Sequence, residues 1–395
     1  MSTGTTTSEH AWNVKWINEF NRSRSDIRIK MEEIPWTDLL TKVAAYHAAG
    51  IPPDIAWYAS SQILEWQTLG LLEPVDEWLG ETKKEFMPSI LDPKVSDVIF
   101  DGKMMGVPFT YVGRNLAVRA DVLRAAGINP VTLTTWDGVA KALKASTKPP
   151  TRYGTYFPFA DALRTAGAAE MYFRGFGLDG IFDVRPAKKA DYIKTLQFIK
   201  TEVFPSMPPA VVSWRYVDVL QAYVSGLITV HPTGSYLFGE LQPSNPEVMN
   251  IEKTKNLPWP MVGNSKGILP MYTVGYVMFK ASRKKKEAAE VLKFFTRKQS
   301  LLEWPMNMVP KTGVTVADRI QVNMFGESMR WYLRDWEQMM RTATLTRRIP
   351  YTPSGEVNSI FRDALLKMYQ GRVTPEQAYD EISSAVRPLL KYPKY

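Results

Sequence analysis

The stretch Ala48-Ala49-Gly50-Ile51-Pro52-Pro53-Asp54-Ile55-Ala56-Trp57-Tyr58-Ala59-Ser60-Ser61-Gln62 passes through three backbone regimes in fifteen residues. Gly50 suits the left-handed position that closes a helix, and Pro52-Pro53 has no N–H groups with which to continue one. Asp54 to Tyr58 is a short apolar run of strand length, which predicts a buried strand. A helix resumes at Gln62, runs to Leu69 and stops at Gly70. Upstream, Pro35-Trp36-Thr37-Asp38 opens a helix with Leu39, Leu40 and Val43 on its apolar side. Before that, Ile27-Arg28-Ile29-Lys30-Met31 alternates like a half-buried strand, and Trp12, Trp16, Ile17 and Phe20 recur at helical spacing over residues 9–21. Helix, strand, helix, strand, helix is the order of an α/β fold.

The same alternation continues downstream. Asp101-Gly102 predicts a hairpin turn leading into a strand from Met104 to Pro108. Leu116 to Arg119 reads as a strand and Ala120 to Ala126 as a helix closed by Gly127. Helices are expected at 135–143, 161–173, 192–201 and 216–225. Strands are expected at 228–231, before a turn at Gly234, and at 272–279. Helices follow at 284–296, 357–369 and 375–390. A single core stops growing at about 250–300 residues, so 395 residues predict two domains.

Composition removes several classes of function. A hydrophobic content of 45% is too high for general disorder. No apolar run approaches the roughly 20 residues needed to span a bilayer. Without cysteine there is no disulfide framework, thiolate metal site or cysteine nucleophile. His10, His47 and His231 are scattered without metal-ligand spacing, so neither a metal nor a cofactor is expected. The net charge of +9 comes from dispersed residues. The tightest basic run, Arg283-Lys284-Lys285-Lys286, leads into the apolar pattern Ala288, Val291, Leu292, Phe295 and reads as a solvated helix start, not a nucleic-acid patch. Twelve Trp and eighteen Tyr exceed what the cores require. Their flat rings with polar handles suit the apolar faces and hydroxyl rims of sugars.

Gly175-Phe176-Gly177-Leu178-Asp179-Gly180 matches G-x-G-x-x-G. It follows the helical Glu170-Met171-Tyr172-Phe173 instead of a strand, so it reads as a loop, not a dinucleotide site. No nucleophile elbow, zinc-protease motif or P-loop occurs. A glycosidase carboxylate pair stays open as an alternative.

Six segments in order resemble the extracellular solute-binding proteins of family 1, the group that includes maltose-binding proteins. They are Trp16-Ile17-Asn18-Glu19-Phe20 with Asp26-Ile27-Arg28-Ile29; Ala48-Ala49-Gly50-Ile51-Pro52-Pro53-Asp54-Ile55; Gly70-Leu71-Leu72-Glu73-Pro74-Val75; Gly102-Lys103-Met104-Met105-Gly106-Val107-Pro108; Ala126-Gly127-Ile128 with Thr134-Thr135-Trp136-Asp137; and Gln370-Gly371-Arg372-Val373-Thr374-Pro375-Glu376-Gln377-Ala378. The chain departs from the family at its start, where residues 1–8 are polar and the usual first strand and signal peptide are not recognisable. The resemblance implies a type II periplasmic-binding-protein-like fold. Its N-terminal lobe would take 1–110 plus 272–315 and its C-terminal lobe 111–271 plus 316–395, with crossings near Pro108–Gly113, Leu269–Tyr272 and Pro310–Val316. It also implies a monomer that captures a di- or oligosaccharide for an ABC permease, carries out no chemistry and works in the periplasm or at the cell surface, its leader absent from this sequence.

In open α/β sheets ligands bind beyond the carboxyl ends of strands. Tyr58, Ser61 and Gln62 occupy such a position, with Tyr58 to stack and the other two to bond hydroxyls. Tyr236, after Thr233-Gly234-Ser235, resembles the family's aromatic contact from the second lobe. Tyr111 lies in the first expected crossing, Tyr272 and Gly275 at the second. Trp12 and Trp304 are further candidates, whereas Trp36, Trp78 and Trp136 are expected to serve the core or caps. Arg114 and Arg152 are expected on the surface. Should either face the cleft, a polyol phosphate or a sugar acid becomes the alternative solute.

Overall fold

Two long antiparallel strands run from one half of the molecule into the other. The strands, taken from the computed structural model, are β1 (Ser2–Thr3), β2 (Glu32–Glu33), β3 (Ile55–Ala59), β4 (Val107–Arg119), β5 (Val230–Gly234), β6 (Thr254–Leu257), β7 (Trp259–Met261), β8 (Asn264–Met278) and β9 (Thr344–Arg347). The structure describes the chain except residues 1, 4–6, 37, 93–95, 305–308, 310, 323–325, 348–353 and 391–395, and except the side chains of 2, 3, 7, 8, 60, 61, 89, 316, 320, 326, 347 and 354. The order is β2-β1-β3-β8-β4-β5, with β6 also on β4 and β7 and β9 also on β8.

The long strands β4 and β8 serve two separate hydrophobic cores. Along β4, Val107, Phe109 and Val112 belong to the first core and Leu116, Ala117 and Val118 to the second. Along β8, Ile268, Leu269 and Met271 belong to the second core and Tyr272, Val274 and Tyr276 to the first. The chain therefore passes between cores within Val112–Leu116 and again at Met271–Tyr272. Tyr111 packs against both. A third passage follows Val314, in the first core, and precedes Met329, in the second. The helix Val316–Val322 is tied to the first core, because Arg319 donates from Nη2 to the carbonyl of Trp304 at 2.5 Å.

Helices of the first half end where glycine allows it. The helix α1 spans Thr7–Ser23, α2 Leu39–Ala48 and α3 Ser60–Thr68; Gly50 (φ 72°) and Gly70 (φ 67°) follow the last two in the left-handed region. The aromatic surplus fills the first core, where Trp12, Trp57, Phe109 and Trp304 meet at ring distances of 4.4–5.9 Å. In the second core, α4 (Ala162–Gly175) starts at Asp161, whose side chain accepts from the Arg164 amide. The Gly175–Gly180 segment is the loop that ends α4; its first glycine admits the Trp136 ring, which a Cβ there would meet at 2.1 Å.

Some sequence expectations need correction. Residues 27–31 form no strand. The Asn21 side chain accepts from the Ile29 amide at 2.8 Å and donates to its carbonyl at 3.1 Å, taking the groups a ladder would need; pairing begins only at Glu32. The first strand is present after all, as Ser2–Thr3, parallel to both Glu32–Glu33 and β3. Its register comes from neighbours on both sides, so polar residues suffice. The strand expected at 228–231 is Val230–Gly234, and Gly234 sits inside its ladder opposite Arg114. The Asp101-Gly102 hairpin forms as expected, with both residues at positive φ (49° and 73°).

Candidate functional site

A cavity of about 970 Å³, including its mouth, lies between the two cores. Strand periodicity determines its floor. Thr110, Val112 and Arg114 of β4 and Tyr272 and Val274 of β8 all line it, which is one face of the paired strands. Residues between them point the other way.

The second-core wall carries most of the polar groups. Arg114 lies opposite Gly234 in the β4–β5 ladder. It was expected on the surface, yet its side chain turns into the cavity and the residue is only 6% exposed. Its Nη1 donates to the Tyr236 hydroxyl and its Nη2 to the Gly167 carbonyl at 3.0 Å, while its Nε has no partner. Tyr236 reaches this position because Gly234 has no side chain; a Cβ there would lie 2.5 Å from the Tyr236 ring. Arg164, in the first turn of α4, lays its guanidinium 3.7 Å from the Tyr216 ring centroid and 5.7 Å from that of Tyr236. Tyr216 in turn donates its hydroxyl to Glu240 at 2.7 Å. Burial raises the Glu240 carboxyl above its usual range, against the pull of Arg164.

Behind this wall the Tyr156 hydroxyl lies 2.6 Å from His231 Nδ1. Burial, with Arg114 and Arg164 nearby, pushes the His231 imidazole down to about 3, so it is neutral at physiological pH. The first core contributes Glu9 of α1, Trp36, Gln62 and Trp304. Gln62 accepts from the Ala59 amide at 3.0 Å, which fixes the start of α3.

Of the residues singled out in the sequence, Gln62, Tyr236, Tyr272 and Trp304 line this cavity. Tyr58 does not. It is fully buried in the first core, its hydroxyl 3.0 Å from Thr273 Oγ1, which donates to Asp97 at 2.8 Å. Trp12 is also a core residue, donating to the Ser300 carbonyl at 3.0 Å. Tyr111 and Gly275 stand one residue out of phase with the cavity face. Gly275 serves a different purpose, since a Cβ there would lie 2.1 Å from the Val107 carbonyl, at the point where the β4–β8 register shifts. The side chain of Ser61 lies outside the described residues. Arg152 is away from the cavity and donates to the Ser146 carbonyl at 2.8 Å. Trp36, expected in the core or a cap, packs against the first core and also lines the cavity. The sequence reading missed Arg164, Tyr216, Glu240, Tyr156 and Glu9. The helix expected from 161 placed Arg164 in its first turn, but its place in the cavity shows only in its stacking on the Tyr216 and Tyr236 rings.

The family model for bacterial extracellular solute-binding proteins matches residues 3–300, well over half of the chain. The protein belongs to that family. Among curated relatives of this solute-binding protein, a binding protein of Brucella abortus (strain 2308) is 23% identical, the match covering 94% of this chain and 88% of the relative. Among solved structures, an ABC transporter solute-binding protein of Thermotoga lettingae TMO, bound with α-D-tagatose, superposes with a TM-score of 0.80 at 18% identity, covering 98% of each chain. The GacH receptor of Streptomyces glaucescens, studied unliganded and with acarbose, gives 0.79 at 15% identity over 100% of this chain and 99% of its own. The fold is thus the type II periplasmic-binding-protein fold, as the resemblance implied. Extracellular solute-binding proteins act in the periplasm or outside the cell. Among the described residues no helix is long and apolar enough to cross a membrane, and no cluster of three metal-ligating side chains occurs.

Proposed function

We propose that the protein is the substrate-binding component of an ABC importer, which closes on a carbohydrate and delivers it to membrane permease subunits. The observation that carries this reading is a cavity walled by both cores, with Trp36, Trp304 and Gln62 on one side and Tyr236, Tyr216 and Arg164 on the other. Rings supply faces for sugar C–H surfaces, and the polar groups fix hydroxyls. The structural neighbours bound to tagatose and acarbose support a carbohydrate over other small solutes.

The mechanism follows from the strand crossings. Among the described residues the chain crosses between the cores along β4, along β8 and after Val314, so one lobe can rotate on the other with strain confined to a few residues. Solute that touches both walls binds the closed form better and shifts the population toward it. We take the lobes as 1–110 plus 272–315 and 111–271 plus 316–395. The bond from Arg319 to Trp304 favours extending the first lobe through Val322. The protein acts as a monomer and leaves the solute chemically unchanged.

A thermal-shift screen with saccharides, polyols and sugar acids at millimolar level tests the reading, because a ligand that binds only the folded state raises the melting temperature. At least one member of the panel is expected to do so and to be recovered intact after long incubation. A panel with no effect contradicts the proposal, and cleavage of an oligosaccharide favours the glycosidase alternative.

A further inference from the structure

We infer that the solute is a saccharide or polyol carrying one anionic group, a carboxylate or a phosphate, and that Arg164 and Arg114 receive that group. The inference rests on the proposed function, since it takes the cavity between the cores to be the solute site.

Two guanidinium groups enter this cavity from separate elements, β4 and α4, and neither forms an ion pair with a described residue. The Arg164 guanidinium makes no hydrogen bond to a described group: it lies against the Tyr216 and Tyr236 rings, and its buried Nε is without a partner. Arg114 bonds two neutral oxygens, the Tyr236 hydroxyl and the Gly167 carbonyl, and its Nε is also unpartnered. Glu170 acts on Arg114 and Glu240 and Asp161 act on Arg164 through space, but none of the three closes an ion pair with them. Glu170 is committed to Arg174 at 2.8 Å. Glu240 accepts from Tyr216, and burial raises its carboxyl above the usual range. Glu9 belongs to the opposite wall and has contacts of its own.

Two cations held against one cavity wall are costly unless something compensates them. The Tyr216 ring restrains the Arg164 fork without satisfying its N–H groups. A planar carboxylate or a phosphate matches that fork bidentately, which an isolated sugar hydroxyl does not. The neutral imidazole of His231 adds no charge to this balance.

Isothermal titration calorimetry with matched pairs tests the inference: D-glucuronate against D-glucose, D-galacturonate against D-galactose, glycerol 3-phosphate against glycerol, with maltose as a neutral oligosaccharide. We expect an acidic member to bind at least tenfold more tightly than its neutral partner, with affinity falling as salt rises. The carboxylate and phosphate pairs separate the two anion types. Arg164→Gln should remove at least tenfold of that preference and Arg164→Lys should restore part of it, with circular dichroism confirming that both variants fold. A neutral sugar that binds as well as or better than every acid overturns this inference and leaves the importer reading intact. An acid preference that survives Arg164→Gln unchanged also overturns it. If no compound in the panel binds, the carbohydrate-capture reading fails with it.

Discussion

Acidification should destabilise this protein through one buried histidine. His231 is fully buried and its imidazole titrates at about 3 when folded, against about 6.5 in an unfolded chain. Between those values the unfolded state binds the proton and the folded state does not, so stability falls as pH falls. A single group contributes about 1.4 kcal/mol per pH unit inside the window. From pH 7 to pH 5 the His231 contribution is a loss of about 2 kcal/mol, and the full loss, near pH 3, approaches about 5 kcal/mol. Glu240 and Glu65, whose carboxyls burial raises, act with the opposite sign, so the wild-type slope alone is not diagnostic. The assay is urea unfolding at pH 7, 6 and 5 for the wild type and for His231→Gln. The difference between the two proteins should change by about 2 kcal/mol over that interval. In parallel, the imidazole resonance that His231→Gln removes should keep its neutral shift at pH 5. A resonance that titrates near 6.5, or two proteins that lose stability in parallel, would refute the burial argument.

Other perturbations address the frame around the cavity. Gly275→Ala should cost about 1–3 kcal/mol in urea unfolding, because the new methyl meets the Val107 carbonyl at 2.1 Å and backbone cannot rotate aside. Asn21→Ala should cost about 1–3 kcal/mol, since the Ile29 N–H and C=O lose their partners together. Asp97→Asn leaves one of the two Thr273 donors, now 2.7 and 2.8 Å from the carboxylate, without an acceptor. It should lower stability by about 1–3 kcal/mol and increase hydrogen exchange at the β8 crossing.

Much of the architecture was legible in local chemistry. Gly371 with Thr374-Pro375 marks the final helical turn-around: Gly371 takes φ 72°, and the Thr374 hydroxyl accepts from the Gln377 amide while Gln377 caps back. Thr135 likewise caps the helix Trp136–Ser146. Such signals are complete within four residues and do not depend on the rest of the molecule. Residues 27–31 show the limit, for their alternation was genuine but a side chain from α1 had already claimed the Ile29 backbone. The cavity was legible only in part. Gln62 followed from its place beyond the end of a strand and Tyr236 from the family resemblance, whereas Tyr111 and Gly275 required knowing which face of β4 and β8 points inward. That phase is set by the β4–β8 pairing, which joins residues at least 160 positions apart. Arg164 carried no local mark at all, because its inward direction is imposed by the aromatic rings packed beside α4.

The most direct test of a cavity that closes on solute is a distance across its mouth. Asp38 and Arg215 are exposed on opposite sides of the groove there, and the chain has no cysteine to interfere with labelling. Spin labels at Asp38→Cys and Arg215→Cys, measured by double electron–electron resonance, should give a shorter and narrower distance distribution once the best-binding saccharide of the screen is added. An unchanged distribution, at a saccharide concentration where calorimetry shows the sites filled, would contradict closure between the two cores.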